Sequence, residues 1–280
     1  MESNFELWRL CMKSRGYIQV TESGQSMESD WKVAHFRRKC IENEWQACSV
    51  LGSFYQHGKG VQPDLAMAAA LYQKACEHDD ALGCLAAGDL EQKSSPRQAL
   101  AKLQRARTLA RTQGQTALEG GALAGISAIY YEQLFMTSEA SAAIEEARRL
   151  LPEDLSVLSN RVEILLAQGR YSDVLREVPG LLAMGPEPST RLILTAFAWA
   201  AAMLANERTN VADWSQRLKQ AYGTVPKGSK STWQFGGTRH VLEQILQKKP
   251  ATQRILQLLE VLVTPIESSA KARLEAILSG

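Results

Sequence analysis

At 280 residues with 45% hydrophobic content, the chain can bury one large core or two modest ones. Its 32 Lys and Arg nearly balance 30 Asp and Glu, a formal charge of +2 that carries no basic footprint for nucleic acid. No apolar run reaches the roughly 20 residues of a bilayer span. The start, MESNFELWRL, lacks both the basic opening and the apolar stretch of a secretory signal, so two readings stand: a protein kept inside the cell, or one whose export signal is absent from this chain.

Taken in order, nearly every segment has helical period, and none alternates convincingly as a strand. Good helix formers dominate, and Gly and Pro fall between the periodic segments, as in HGKGVQPD, LPED, MGPEP and TVPKGSKS. Residues 1–30 form an N-terminal segment, partly extended on one reading. From residue 33 the chain repeats with a shift of 36. VAHFRRKCIENEWQAC (33–48) lies over AALYQKACEHDDALGC (69–84), placing Cys40 on Cys76, Cys48 on Cys84, Phe36 on Tyr72 and Ala47 on Gly83. Metal binding, redox chemistry, a disulfide and reduced packing thiols are all open to these cysteines. Structural zinc fits least, because CxxC elements and paired histidines are missing, although His35, His57 and His78 lie nearby.

Between the two cysteine pairs, Leu51, Gly52, Tyr55, Gly58, Gly60, Val61, Asp64, Ala68, Tyr72 and Ala75 form a pattern that resembles a Sel1-like repeat. Gly52 lets one helix approach the next, Tyr55 and Tyr72 fill the space between layers, and Gly58 and Gly60 permit the positive φ of a tight connection. The cysteine spacing is similar to that of the cysteine-rich Sel1 proteins. That resemblance implies disulfides Cys40–Cys48 and Cys76–Cys84 across the helix–turn–helix corners. The match covers residues 31–92 and weakens after Cys84, where Glu91 replaces the aromatic and the GxGV turn is lost.

A period of 34 then takes over, with Pro152 and Pro186 closing successive helical pairs. Tyr131, Ala140, Ala147 and Pro152, then Leu158, Val162, Leu165, Gly169, Tyr171, Val174, Leu181 and Pro186, resemble tetratricopeptide repeats. A third pair, with residues inserted at NERTNV, uses Leu192, Ala196, Trp199, Trp214, Leu218, Ala221 and Pro226. These repeats span 93–226, and 227–280 reads as a loop and capping helices broken at Pro250 and Pro265. The expected fold is all-α, a right-handed α/α superhelical solenoid. In the N-terminal segment, Cys11, Met12, Gly16 and Tyr17 faintly resemble a segment of small bacterial envelope lipoproteins.

Signatures of catalysis are scarce. Hydrolase elbows, Walker loops, HExxH and GxGxxG are missing from the sequence. Cysteine-rich Sel1 proteins have been linked to β-lactam binding, which brings in the single S-x-x-K at Ser268–Lys271. Its companions S-D-N and K-T-G are absent, and about one such tetrad is expected by chance. No catalytic residue, metal or cofactor is therefore assigned. The inner face of stacked hairpins is the better candidate, since such faces receive extended peptides or partner helices. Register places Ser156, Ser159, Asn160, Glu163 and Leu166 there from one repeat, and Thr190, Ile193 and Phe197 from the next. Asn160 can hold a ligand backbone or satisfy a neighbouring helix end. The loop 223–237 offers Lys227, Lys230, Trp233 and Phe235, whose rings either meet a partner or fold back onto the last repeat. The function expected is a non-catalytic scaffold or adaptor that binds proteins or peptides in a multi-protein assembly of a bacterial envelope, in the periplasm or at the inner face of the outer membrane. A cytoplasmic adaptor with reduced cysteines is the alternative, and a peptidoglycan or β-lactam enzyme a distant one.

Overall fold

The computed structural model describes residues 27–229, 231, 233–246, 248–249 and 251–279; the readings made for Cys11 and its neighbours and for Lys230 lie outside them. The described residues form fourteen α-helices and no strand. They divide into two compact units at Leu118/Glu119. That division follows packing, whereas the boundaries read at 92 and 226 follow changes of repeat pattern.

The first unit contains α1 (Met27–Ile41), α2 (Trp45–His57), α3 (Leu65–Glu77), α4 (Ala81–Glu91) and α5 (Pro96–Thr112), each packed on the next in the chain. Local chemistry sets the helix ends. Gly58 caps α2 at φ +64°, where a Cβ would also lie 2.8 Å from Pro63, and Gly60 follows at φ +73°. Asp64 and Asp80 then cap α3 and α4 by accepting from the amides of Met67 and Gly83, at 2.9 and 2.8 Å. Gly52 faces the ring of Tyr72, whose hydroxyl donates to Gln56 Oε1 at 2.7 Å.

Each corner expected to carry a disulfide does so. Cys40 at the end of α1 is bonded to Cys48 in α2, and Cys76 at the end of α3 to Cys84 in α4, with Cα–Cα distances of 4.7 and 4.4 Å. All four cysteines are buried. Gly83 lies beside the second bond, where a Cβ would come within 2.6 Å of Ala75 Cβ and 2.9 Å of the Cys76 amide. Gly83→Ala is accordingly expected to cost about 1–3 kcal/mol through overpacking, measured by guanidinium denaturation. A neutral result would show that this corner can yield.

The second unit continues through α6 (Thr116–Glu132), α7 (Thr137–Leu150), α8 (Leu155–Ala167), α9 (Tyr171–Ala183), α10 (Pro188–Ala205) and α11 (Arg208–Thr224), successive helices joined by short turns; each packs on the next from α7 onward, and the Ser127 hydroxyl of α6 donates to the Ala140 carbonyl of α7 at 2.8 Å. Then come α12 (Gly236–Ile245), α13 (Ala251–Leu262) and α14 (Ser268–Ser279). Its main core centres on α10, in which every residue from Leu192 to Ala202 is buried. By length and composition alone α10 could cross a membrane, with a mean hydropathy of 1.2; 67% of it is buried within the protein. Arg161 of α8 joins Glu145 of α7 and Glu177 of α9, an ion-pair line across three successive helices. After α11 the chain leaves the hairpin pattern. Helix α12 packs on α8, while α13 packs on α10 and α14 on α11.

Candidate functional site

The first helix of each hairpin in the second unit, α6, α8 and α10, contributes a side chain to one polar and aromatic cluster. Glu163 of α8 is buried. Its Oε2 accepts from Trp233 Nε1 at 2.7 Å, and its Oε1 accepts from the Thr238 hydroxyl. The Thr238 oxygen lies 2.9 Å from the Tyr131 hydroxyl at the end of α6, so Tyr131 can donate to Thr238 while Thr238 donates to Glu163. Next to Tyr131, Glu132 Oε2 accepts from the amide of Gly236 at 2.6 Å, and Glu132 Oε1 is buried and accepts no hydrogen bond. Above Phe197 of α10, the rings of Trp233 and Phe235 stand edge-on, with centroids 6.0 and 6.1 Å away.

Beside this cluster opens a cleft of about 240 Å³, lined by Ser127, Glu132, Asn160, Glu163, Trp233 and Gln234 among others. Among the contacts of these residues in the second unit, proton donors outnumber cations at the two carboxylates. Burial pushes Glu163 well above the usual carboxylate range, and the nearby Glu132 charge adds to it. Burial likewise raises Glu132 to about 7, opposed by the Gly236 and Gly237 amides. Tyr131 is raised by burial and then by the Glu163 charge. On α12 the nearby ionisable side chains engage other groups: His240 stacks on Phe135, and Arg239 approaches Glu260 at 3.8 Å.

The sign of the resulting pH dependence follows directly. A carboxyl raised from 4.5 to about 7 contributes stability that is complete below its unfolded value and lost as pH rises through about 7. The second unit is expected to lose about 2–3 kcal/mol from this group between pH 4.5 and 8.5. Glu132→Gln keeps an acceptor for Gly236 and should flatten that segment of the curve. Urea denaturation at several pH values checks it, and equal slopes in wild type and variant would remove Glu132 as the cause.

The residues proposed from sequence are distributed unevenly. Asn160, Glu163 and Trp233 meet at the cleft, although Trp233 is 73 residues from Asn160 in the chain. Ile193 and Phe197, expected at the inner face, are each 1% exposed and belong to the core, and Phe235 is buried as well. The reason is that the loop aromatics fold back onto Phe197 and cover the face to which register had assigned it. Ser159 is fully buried, and Leu166 lies in the core. Ser156 and Lys227 are exposed, while Thr190 is half-buried and its hydroxyl lies 3.4 Å from Glu187 Oε1. Ser268 and Lys271 are exposed on α14, and Lys271 approaches Glu275 at 4.0 Å. Sequence reading missed Glu132 and Thr238, and it took Tyr131 only as a packing residue. The adjacent Gly236 and Gly237 were the available signal, because paired glycines at a helix start allow a close backbone approach.

A solved structure bears on this architecture. The crystal structure of c5321, described as a protective antigen present in uropathogenic Escherichia coli strains displaying an SLR fold, superposes with a TM-score of 0.52 at 12% identity. The fold is that of Sel1-like repeats. The superposition covers 95% of this chain and 58% of that protein, so this chain spans little more than half of the neighbour's length. No family model matches the chain, and no curated protein matches it in sequence. The Sel1-like fold accounts for the helical hairpins. At this identity it assigns no ligand, and the cleft beside Glu163 stands on its own geometry.

Proposed function

We propose that this protein is a non-catalytic scaffold or adaptor that binds other proteins or peptides through the inner face of its helical hairpins. Its setting on this reading is an oxidising bacterial compartment, the periplasm or the inner face of the outer membrane. The single observation that carries the reading is the pair of disulfides closing successive Sel1-like corners. Such bonds persist in oxidising compartments and are rare where glutathione keeps thiols reduced. They hold the hairpin angle, and a rigid hairpin stack presents a surface with little ordering cost on binding. The contact surface proposed in the second unit is the cleft beside Asn160, Glu163 and Trp233. The Asn160 amide and the unpaired Glu132 Oε1 offer directional recognition beside the Trp233 ring.

The deciding experiment is intact mass, with and without reduction before alkylation, on protein purified from its own cells. Four added alkyl groups that appear only after reduction are expected, followed by photo-crosslinking from position 160 to capture a partner. Alkylation of Cys40, Cys48, Cys76 and Cys84 without reductant would overturn the envelope setting and favour a cytoplasmic adaptor.

A further inference from the structure

The two carboxylates beside the cleft have met only neutral donors. Glu163 receives the Trp233 indole N–H and the Thr238 hydroxyl, and Glu132 Oε2 receives the Gly236 amide. Glu132 Oε1 is buried with no hydrogen bond, an arrangement that forfeits its hydration and that a bound donor relieves. Among the described residues, none that lines the cleft is Lys, Arg or His. On α12, Arg239 approaches Glu260 and His240 stacks on Phe135, so neither supplies the missing charge. The remaining walls are mixed. Asn160 lies one helical turn before Glu163 on α8, and Ala128 of α6 and Ile164 of α8 add apolar surface.

Size and chemistry together select a ligand. At about 240 Å³ the cleft falls short of the roughly 300–1,000 Å³ of sites for whole small molecules, so it takes one side chain. Its apolar wall suits an alkyl stem. The Trp233 N–H is spent on Glu163, so what the indole offers a ligand is its π-surface, which attracts a cation. A guanidinium fork asks for both oxygens of one carboxylate, and here neither carboxylate has two to give. An ammonium is a compact point charge that single acceptors satisfy, and Glu132 Oε1 and the Asn160 side-chain carbonyl are such acceptors.

We infer that this cleft is a lysine pocket, which holds the ammonium of a lysine side chain carried by a bound polypeptide. Glu132 Oε1 and Asn160 accept from the ammonium, and Trp233 flanks it. The inference rests on the adaptor reading for the polypeptide that carries the lysine; the ammonium site itself stands on the cleft.

The test titrates the full chain with Nα-acetyl-lysine N-methylamide and follows the Trp233 indole N–H by NMR. It is run at pH 8, above the value of about 7 to which burial raises Glu132. A saturable shift of that resonance is expected. The norleucine analogue, which keeps the stem without the charge, is expected to give none, and the arginine analogue to bind more weakly than lysine. Glu132→Gln keeps an acceptor for Gly236 and removes the charge, and should weaken lysine binding at least about ten-fold. Glu153→Gln, at an exposed position, should leave it unchanged. Equal binding of the lysine and norleucine analogues, undiminished binding by a folded Glu132→Gln, or no saturable shift in the wild type overturns the inference. The comparison of the two analogues on the wild type decides even if the variant fails to fold. Saturable binding of the blocked lysine with no protein captured from position 160 would leave the ammonium site standing while the adaptor reading fell.

Discussion

Replacing Trp199 by alanine is expected to destabilise the second unit by about 3–5 kcal/mol, the range for deleting a large aromatic from a packed core. Trp199 is fully buried on α10 at the centre of the main core of this unit. Its indole Nε1 donates to Ser215 Oγ on α11 at 2.9 Å, and the Arg254 guanidinium of α13 stands 5.8 Å from its ring centroid. The substitution thus leaves a cavity and a hydroxyl without its donor, and it weakens the seat of α13. Denaturant titration read by hydrogen exchange in α10 and α11 measures the effect. A loss below about 1 kcal/mol would mean that the site collapses around the smaller side chain.

The second large effect lies in the first unit. Converting both disulfides to alanine pairs is expected to remove about 2–3 kcal/mol for each, on the loop-closure model for bonds eight residues apart. Short loops keep the value near the low end, because the entropy removed from the unfolded chain grows with loop length. Guanidinium titration with and without reductant should show a lower midpoint for the reduced protein, with exchange rising in α1 to α4. An unchanged midpoint would show that packing of Ala75 and Tyr72 holds the corners without the bonds.

The two units were legible in the sequence to different degrees. The 36-residue shift pointed to hairpins in the first unit, and Gly58 and Gly60 take the positive φ that the turn required. The cysteine pairing came from family resemblance rather than from the residues alone, which also suited reduced thiols. In the second unit the period placed Leu192, Ala196, Trp199, Leu218 and Ala221 as packing residues, and all are buried. The same register placed Ile193 and Phe197 at a free face, which they do not reach. A repeat pattern reports which side of a helix meets its hairpin partner, because that contact is local and recurs at each step. It is silent about a later segment that returns to cover the opposite side.

Helices, their caps, the hairpin turns and the alternation of small and large packing residues were thus decided within short stretches of sequence. Propensity, glycine φ and side-chain volume act over distances of a few residues to one repeat. The meeting of Tyr131, Glu132, Glu163, Trp233 and Thr238 was decided only by tertiary structure. These residues come from positions up to 107 apart. The raised proton affinities of Tyr131, Glu132 and Glu163 arise first from burial, with the Glu132 charge adding at Glu163 and the Glu163 charge at Tyr131, a surrounding that exists only in the folded unit.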